Sequence, residues 1–161
     1  MNVPRRLRSP LVPCSLALLI ACAGCSSTDD SAAATVPSPG AEAADWCRDL
    51  DARLPRKVSG LTRRDPEPAS RLTAGWGDPA IILRCGVPRP ARMNDPRADG
   101  VSVNGVGWLL QERSDGSFRF TTTLRKAYVE VTLPKERTAD GVGPLTDFAE
   151  PIKKAIPEGI A

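Results

Sequence analysis

Asn104-Gly105 lies between two short apolar-rich runs, Val101-Ser102-Val103 and Val106-Gly107-Trp108-Leu109-Leu110. A two-residue hairpin turn needs positive φ at both central positions, and Asn-Gly adopts this at little cost. The dipeptide therefore predicts a hairpin. It also pins the register, because a slip of one residue would turn every side chain to the opposite face. The pattern continues downstream. Ser114-Asp115-Gly116 reads as a second turn. Residues 117–123 alternate, with Phe118 and Phe120 on one face and Arg119 and Thr121 on the other. After Leu124-Arg125-Lys126 comes another strand. Ala127, Val129, Val131 and Leu133 face inward, Tyr128, Glu130 and Thr132 face outward, and Pro134 ends it.

Upstream, Ala80-Ile81-Ile82-Leu83 is a continuous apolar run, which predicts a strand covered on both faces. The turn signal Trp76-Gly77-Asp78-Pro79 precedes it. Gly86-Val87-Pro88-Arg89-Pro90 ends it and starts an exposed loop to Gly100. Residues 43–54 predict a helix, with Cys47, Leu50 and Leu54 on one face and Pro55 as its stop. Residues 58–72 read as loop with a helical turn. From Pro144 onward, Leu145, Phe148, Ile152 and Ile156 step by 3, 4 and 4, one face of a helix that Pro151 should kink. The expected fold is α+β: an antiparallel β-meander of four to five strands, with N- and C-terminal helices packed on one face.

The N-terminus has the build of an export signal. Arg5, Arg6 and Arg8 precede a run of about ten apolar residues ending in small ones. That run is shorter than the ~20 residues a spanning helix needs. Leu19-Ile20-Ala21-Cys22 reads as a lipobox, the signal for cleavage before a cysteine that carries lipid. Cys25, after Ala23-Gly24, is the alternative. The reading divides the chain into a signal peptide (1–21), a lipidated cysteine with a disordered tether (22–44) and one globular domain (45–161). As a coil, the tether would span about 25 Å. The precursor carries 22 basic and 19 acidic side chains, a net of +3. Losing the three signal arginines leaves 19 of each, so there is no dense basic face for nucleic acid. The expected address is the extracytoplasmic face of the cell membrane, reached through the lipid.

In an oxidising compartment, the remaining pair Cys47 and Cys85 predicts a disulfide that ties the first helix to the apolar strand. The chain contains no histidine. This removes Ser-His-Asp and Cys-His catalysis and the common zinc geometries. Neither a Gly-rich phosphate loop nor a G-x-S-x-G or S-x-x-K motif is present. The carboxylate pairs Asp49/Asp51 and Asp95/Asp99 read as surface charge. No catalytic residue, metal or cofactor is therefore assigned.

The stretches Gly75 to Pro90 (GWGDPAIILRCGVPRP), Val101 to Leu109 (VSVNGVGWL) and Ala127 to Pro134 (AYVEVTLP) resemble an actinobacterial family, the domain of unknown function family 3515. Leu83-Arg84-Cys85-Gly86-Val87-Pro88 is the most specific part. The resemblance covers nearly all of residues 45–161 and implies a small exported or lipid-anchored protein. It brings no activity and no catalytic residues. The frequent closeness of the family's genes to one for a D-alanine–D-alanine ligase points to cell-wall biology by association.

Two loops are candidate ligand or partner surfaces. Trp76 with Asp78 can offer a flat contact to a sugar or a partner chain, or Trp76 can simply cap the core. Arg84 and Arg89 can hold a carboxylate or phosphate in bidentate fashion. Trp108 belongs with the core. The leading expectation is a non-enzymatic, monomeric envelope lipoprotein whose partner is an envelope protein or cell-wall component. The alternative is a carboxylate-dependent hydrolase acting on wall or lipid intermediates. A small-molecule pocket of roughly 300 Å³ is hard to fit in so small a domain.

Overall fold

The structure is a computed structural model that describes residues 32–161. The expected signal peptide, Cys22, Cys25 and the first part of the tether lie outside the described residues. The elements run α1 (Ala41–Arg53), β1 (Lys57–Val58), β2 (Leu61–Thr62), β3 (Thr73–Trp76), β4 (Ile81–Val87), β5 (Gly100–Val103), β6 (Val106–Glu112), β7 (Phe118–Thr122), β8 (Tyr128–Leu133) and α2 (Gly143–Ala155). Short 3-10 turns occupy Ala91–Asn94 and Lys135–Asp140. No helix among the described residues is long and apolar enough to cross a membrane.

The fold is α+β, and its main sheet is antiparallel throughout, with strand order β3-β4-β8-β7-β6-β5. It has six strands where four to five are expected. The extra strand is β3, whose Thr-Ala-Gly-Trp sequence has no apolar alternation to betray it. β1 and β2 form a separate two-stranded hairpin inside the expected loop. Its turn is Ser59-Gly60, with positive φ at both residues (48° and 80°). The Asn104-Gly105 turn is as expected, with φ of 47° and 82°.

The register divides the sheet into two faces. Ala74, Leu83, Val131, Phe120 and Leu110 are successive partners across it and point inward. Both helices pack on this side, α1 against β4 and α2 against β5 and β6, and Leu50, Leu145, Phe148 and Ile152 are buried in the core. The Cys47–Cys85 disulfide joins α1 to β4 with the Cα atoms 5.5 Å apart. Pro151 lies inside α2 without ending it.

Thr73, Arg84, Glu130, Thr121, Leu109 and Gly100 are successive partners on the outward face. Much of this face is covered, which corrects the reading of Tyr128 and Glu130 as solvent-facing: both are buried, at 3% and 6% exposure. One cover is the end of the expected tether. Ala34 donates its N–H to Glu67 at 3.0 Å, and Glu67 donates back to Ala32 at 2.9 Å. Ala34 and Pro37 are buried, and Arg84 Nε donates to the Thr35 carbonyl at 2.8 Å. So residues 32–40 form a strap rather than coil, and the folded unit begins before residue 45. Small side chains and prolines lie flat on a sheet, and the sheet leaves room for them. Gly86 sits at a β-bulge with φ +86°, and a Cβ there would lie 2.5 Å from Pro39 Cγ. Composition judged the segment alone, without the surface that receives it.

Candidate ligand groove beneath the β4–β5 crossover

β4 and β5 are consecutive in sequence but separated in the sheet by β8, β7 and β6. Their connection, residues 88–99, must therefore cross three strands. It arches over the outward face and leaves a groove of about 450 Å³ beneath it. Arg89, Met93, Asp95 and Asp99 come from the arch; Ser102, Gly107, Leu109 and Tyr128 come from the sheet. From Tyr128 on β8 to Gly100 on β5 is three strand spacings, about 14 Å. Two outward positions that could fill this space are glycine. Gly107 faces Ser102 across the β5–β6 pair, and Gly100 faces Leu109. A Cβ at Gly107 would run into the Thr123 hydroxyl. The volume exceeds what so small a domain is expected to hold, because the long crossover creates it outside the core.

The mouth of the groove is apolar. Leu124 and Ile160 are each 66% exposed and both line it. Leu124 also holds a left-handed conformation, φ 53°, which costs a side-chain-bearing residue about 1 kcal/mol. Its carbonyl accepts the Gly159 N–H at 3.0 Å, and Lys126 N–H donates to Pro157 at 3.0 Å. The segment after α2 is thus clipped to the β7–β8 connection, which brings Ile160 to the rim.

Polar groups in and beside the groove differ in how far they are already engaged. Asp95 accepts from Arg92 at 2.6 Å and from the Arg97 backbone N–H at 2.9 Å, so both its oxygens are occupied. Asp99 is exposed and has no side-chain partner among the described residues. Among the described residues Arg89 donates only to neutral oxygens, Asn94 Oδ1 at 2.5 Å and the Met93 carbonyl at 3.4 Å. Tyr128 is buried as a residue, and its hydroxyl makes no hydrogen bond among the described residues, though it is not one of the fully enclosed polar atoms left without a partner. Arg89 and Tyr128 also line a second groove of about 290 Å³, together with Lys126 and Pro39. Lys126 has no ion pair among the described residues.

The expected site residues do not converge. Trp76 is fully buried, tilted against Phe148 with ring centroids 5.1 Å apart, and its indole N–H donates to the Pro55 carbonyl at 3.0 Å. It caps the core and presents no face to a ligand. Asp78 is exposed in the β3–β4 turn, ahead of a cis peptide to Pro79. Arg89 lies beyond the other end of β4, which at 3.3–3.4 Å per residue puts the two loops about 20 Å apart. Arg84 is spent on structure: Nη1 donates to Glu130 Oε1 at 3.0 Å. Arg119 Nε approaches Glu130 Oε2 at 3.2 Å, out of line for a hydrogen bond, and has no other partner. Of the four residues, only Arg89 reaches the groove. Lys126, Leu124 and Ile160 are missed in the sequence, and Tyr128 is read there only as an outward residue of a partner-facing sheet, because the crossover and the clipped tail, both tertiary features, gather them. The one local hint is Leu124-Arg125-Lys126, a short basic link between strands.

A family model described as "Protein of unknown function (DUF3515)" matches residues 10–161, and the chain belongs to that family. No curated protein and no solved structure matches.

Proposed function

We propose that this member of the DUF3515 family is a lipoprotein on the extracytoplasmic face of the cell membrane, anchored through Cys22 or, alternatively, Cys25. In this reading its domain is a non-enzymatic binding or accessory module of the cell envelope. The observation that carries the binding role is the groove beneath the crossover. It falls within the 300–1,000 Å³ typical of ligand sites and combines an apolar mouth with polar groups the fold does not use. The basic-then-apolar N-terminus and the lipobox support the address. The Cys47–Cys85 bond fits an oxidising compartment.

One observation favours the hydrolase as a second reading: Asp95 and Asp99 both line the groove. Against it, both Asp95 oxygens already accept hydrogen bonds from the arch itself, and the chain has no histidine to take its place. The test is a photo-crosslinking residue at Leu124 in cells, alongside incubation of the purified protein with wall fragments and lipid intermediates. A binding module gives a crosslinked species that is lost when Arg89 is also changed to Ala, and no turnover. Turnover abolished by Asp99→Asn would replace the binding reading with the hydrolase.

A further inference from the structure

We propose that the groove binds a single-chain amphiphile bearing a phosphate. Its headgroup would sit at Arg89, Lys126 and Tyr128, and its chain would lie beneath the crossover. The proposal rests on the binding role argued above and adds the chemistry of the ligand.

Charge complementarity carries the headgroup assignment. Arg84, Arg92 and Arg119 on or near the outward face are tied to carboxylates. Among the described residues Arg89 and Lys126 pair with no Asp or Glu, and they line the same smaller groove as Tyr128 and Ala161. Arg89 uses two of its five N–H donors on neutral oxygens, leaving the rest for an anion. Two cations and a phenolic hydroxyl suit the several oxygens of a phosphate better than a single carboxylate.

The position of these groups says where the rest of the ligand goes. Arg89 and Tyr128 line both grooves, so a phosphate held there has the larger space directly beside it. That space has Leu109 on its floor, Met93 on the arch and Leu124 and Ile160 at its mouth. Asp99, at the β5 side, opposes the reversed orientation by repelling an anion. The left-handed backbone at Leu124 keeps a leucine where glycine would fit without strain, as expected if the side chain has a role.

The test is calorimetric titration of the full chain carrying Cys22→Ser and Cys25→Ser, which removes the lipid and leaves residues 32–161 unchanged. The probe is octyl phosphate, compared with octanol and with inorganic phosphate. Octyl phosphate should bind about tenfold or more tightly than either part alone. The Arg89→Ala/Lys126→Ala double variant should lose about that factor for octyl phosphate and none for octanol. Leu124→Gly, which relaxes the backbone, should weaken octyl phosphate while leaving inorganic phosphate unchanged. Equal binding of octanol, equal binding of inorganic phosphate, or an unaffected double variant would each overturn the proposal. If octyl phosphate fails while the Leu124 crosslink still captures a partner in cells, the ligand class is wrong and the binding role stands.

Discussion

Glu130 is the residue on which the outward face depends most. Its side chain is 8% exposed and lies between Arg84 and Arg119, each about a quarter exposed. Removing a buried charge strands its partners, whereas exposed partners recover some hydration. Glu130→Gln keeps the shape and should cost about 2 kcal/mol or more, read as a lower urea midpoint at unchanged slope. Asp115 illustrates the opposite, local case. The Ser117 hydroxyl donates to Oδ1 at 2.6 Å, with the Ser117 backbone N–H at 2.9 Å, and together they hold the carboxyl below its usual range. A depressed folded pKa adds stability that is complete above the unfolded value, about 3.9, and is lost as pH falls through the folded value. Ser117→Ala should raise the Asp115 midpoint in an NMR titration; an unchanged midpoint would contradict the assignment.

At the scale of elements, the strap and the crossover decide what the outward face can do. Gly86 links them, since its left-handed φ and its contact with Pro39 both exclude a side chain. Gly86→Ala should destabilise by about 1–2 kcal/mol from the backbone alone and release residues 32–40 to proteolysis. Wild-type resistance in that segment would show that the strap is held elsewhere. These two elements also mark the limit of what the sequence discloses. The hairpin at Asn104-Gly105, the alternation of β7 and β8 and the apolar face of α2 are all encoded within a few residues, and they were legible. β3 was not, because its burial comes from β4 and the core helices rather than from its own pattern. Trp76, beside a turn, reads in the sequence either as a binding aromatic or as a core cap, and what decides for the cap is remote: its indole N–H is satisfied by Pro55, 21 residues away. The groove was illegible for the same reason: it exists only because β4 and β5 are three strands apart.

For the whole molecule, the disulfide is the main staple between the helical layer and the sheet. It closes a loop of 38 residues, worth about 4 kcal/mol by the chain-entropy argument. Stabilities of small domains are themselves only 5–15 kcal/mol, so this share is large. Cys47→Ser/Cys85→Ser should lower the unfolding free energy by about 2–5 kcal/mol in chemical denaturation, and a loss under about 1 kcal/mol would mean the core holds the layers without it. The same bond supports the proposed extracytoplasmic address, since disulfides form and persist chiefly where thiols are oxidised. The proposed oxidising compartment, the proposed lipid anchor and the groove's proposed ligand make one account: that of an exported domain working at a membrane surface. Its most direct test is intact-mass spectrometry of the protein extracted from the membranes of its own cells. The account predicts a chain that begins at Cys22, or at Cys25, carries added acyl mass and has Cys47 joined to Cys85. A chain that keeps residues 1–21, bears no lipid and has both thiols free would contradict it.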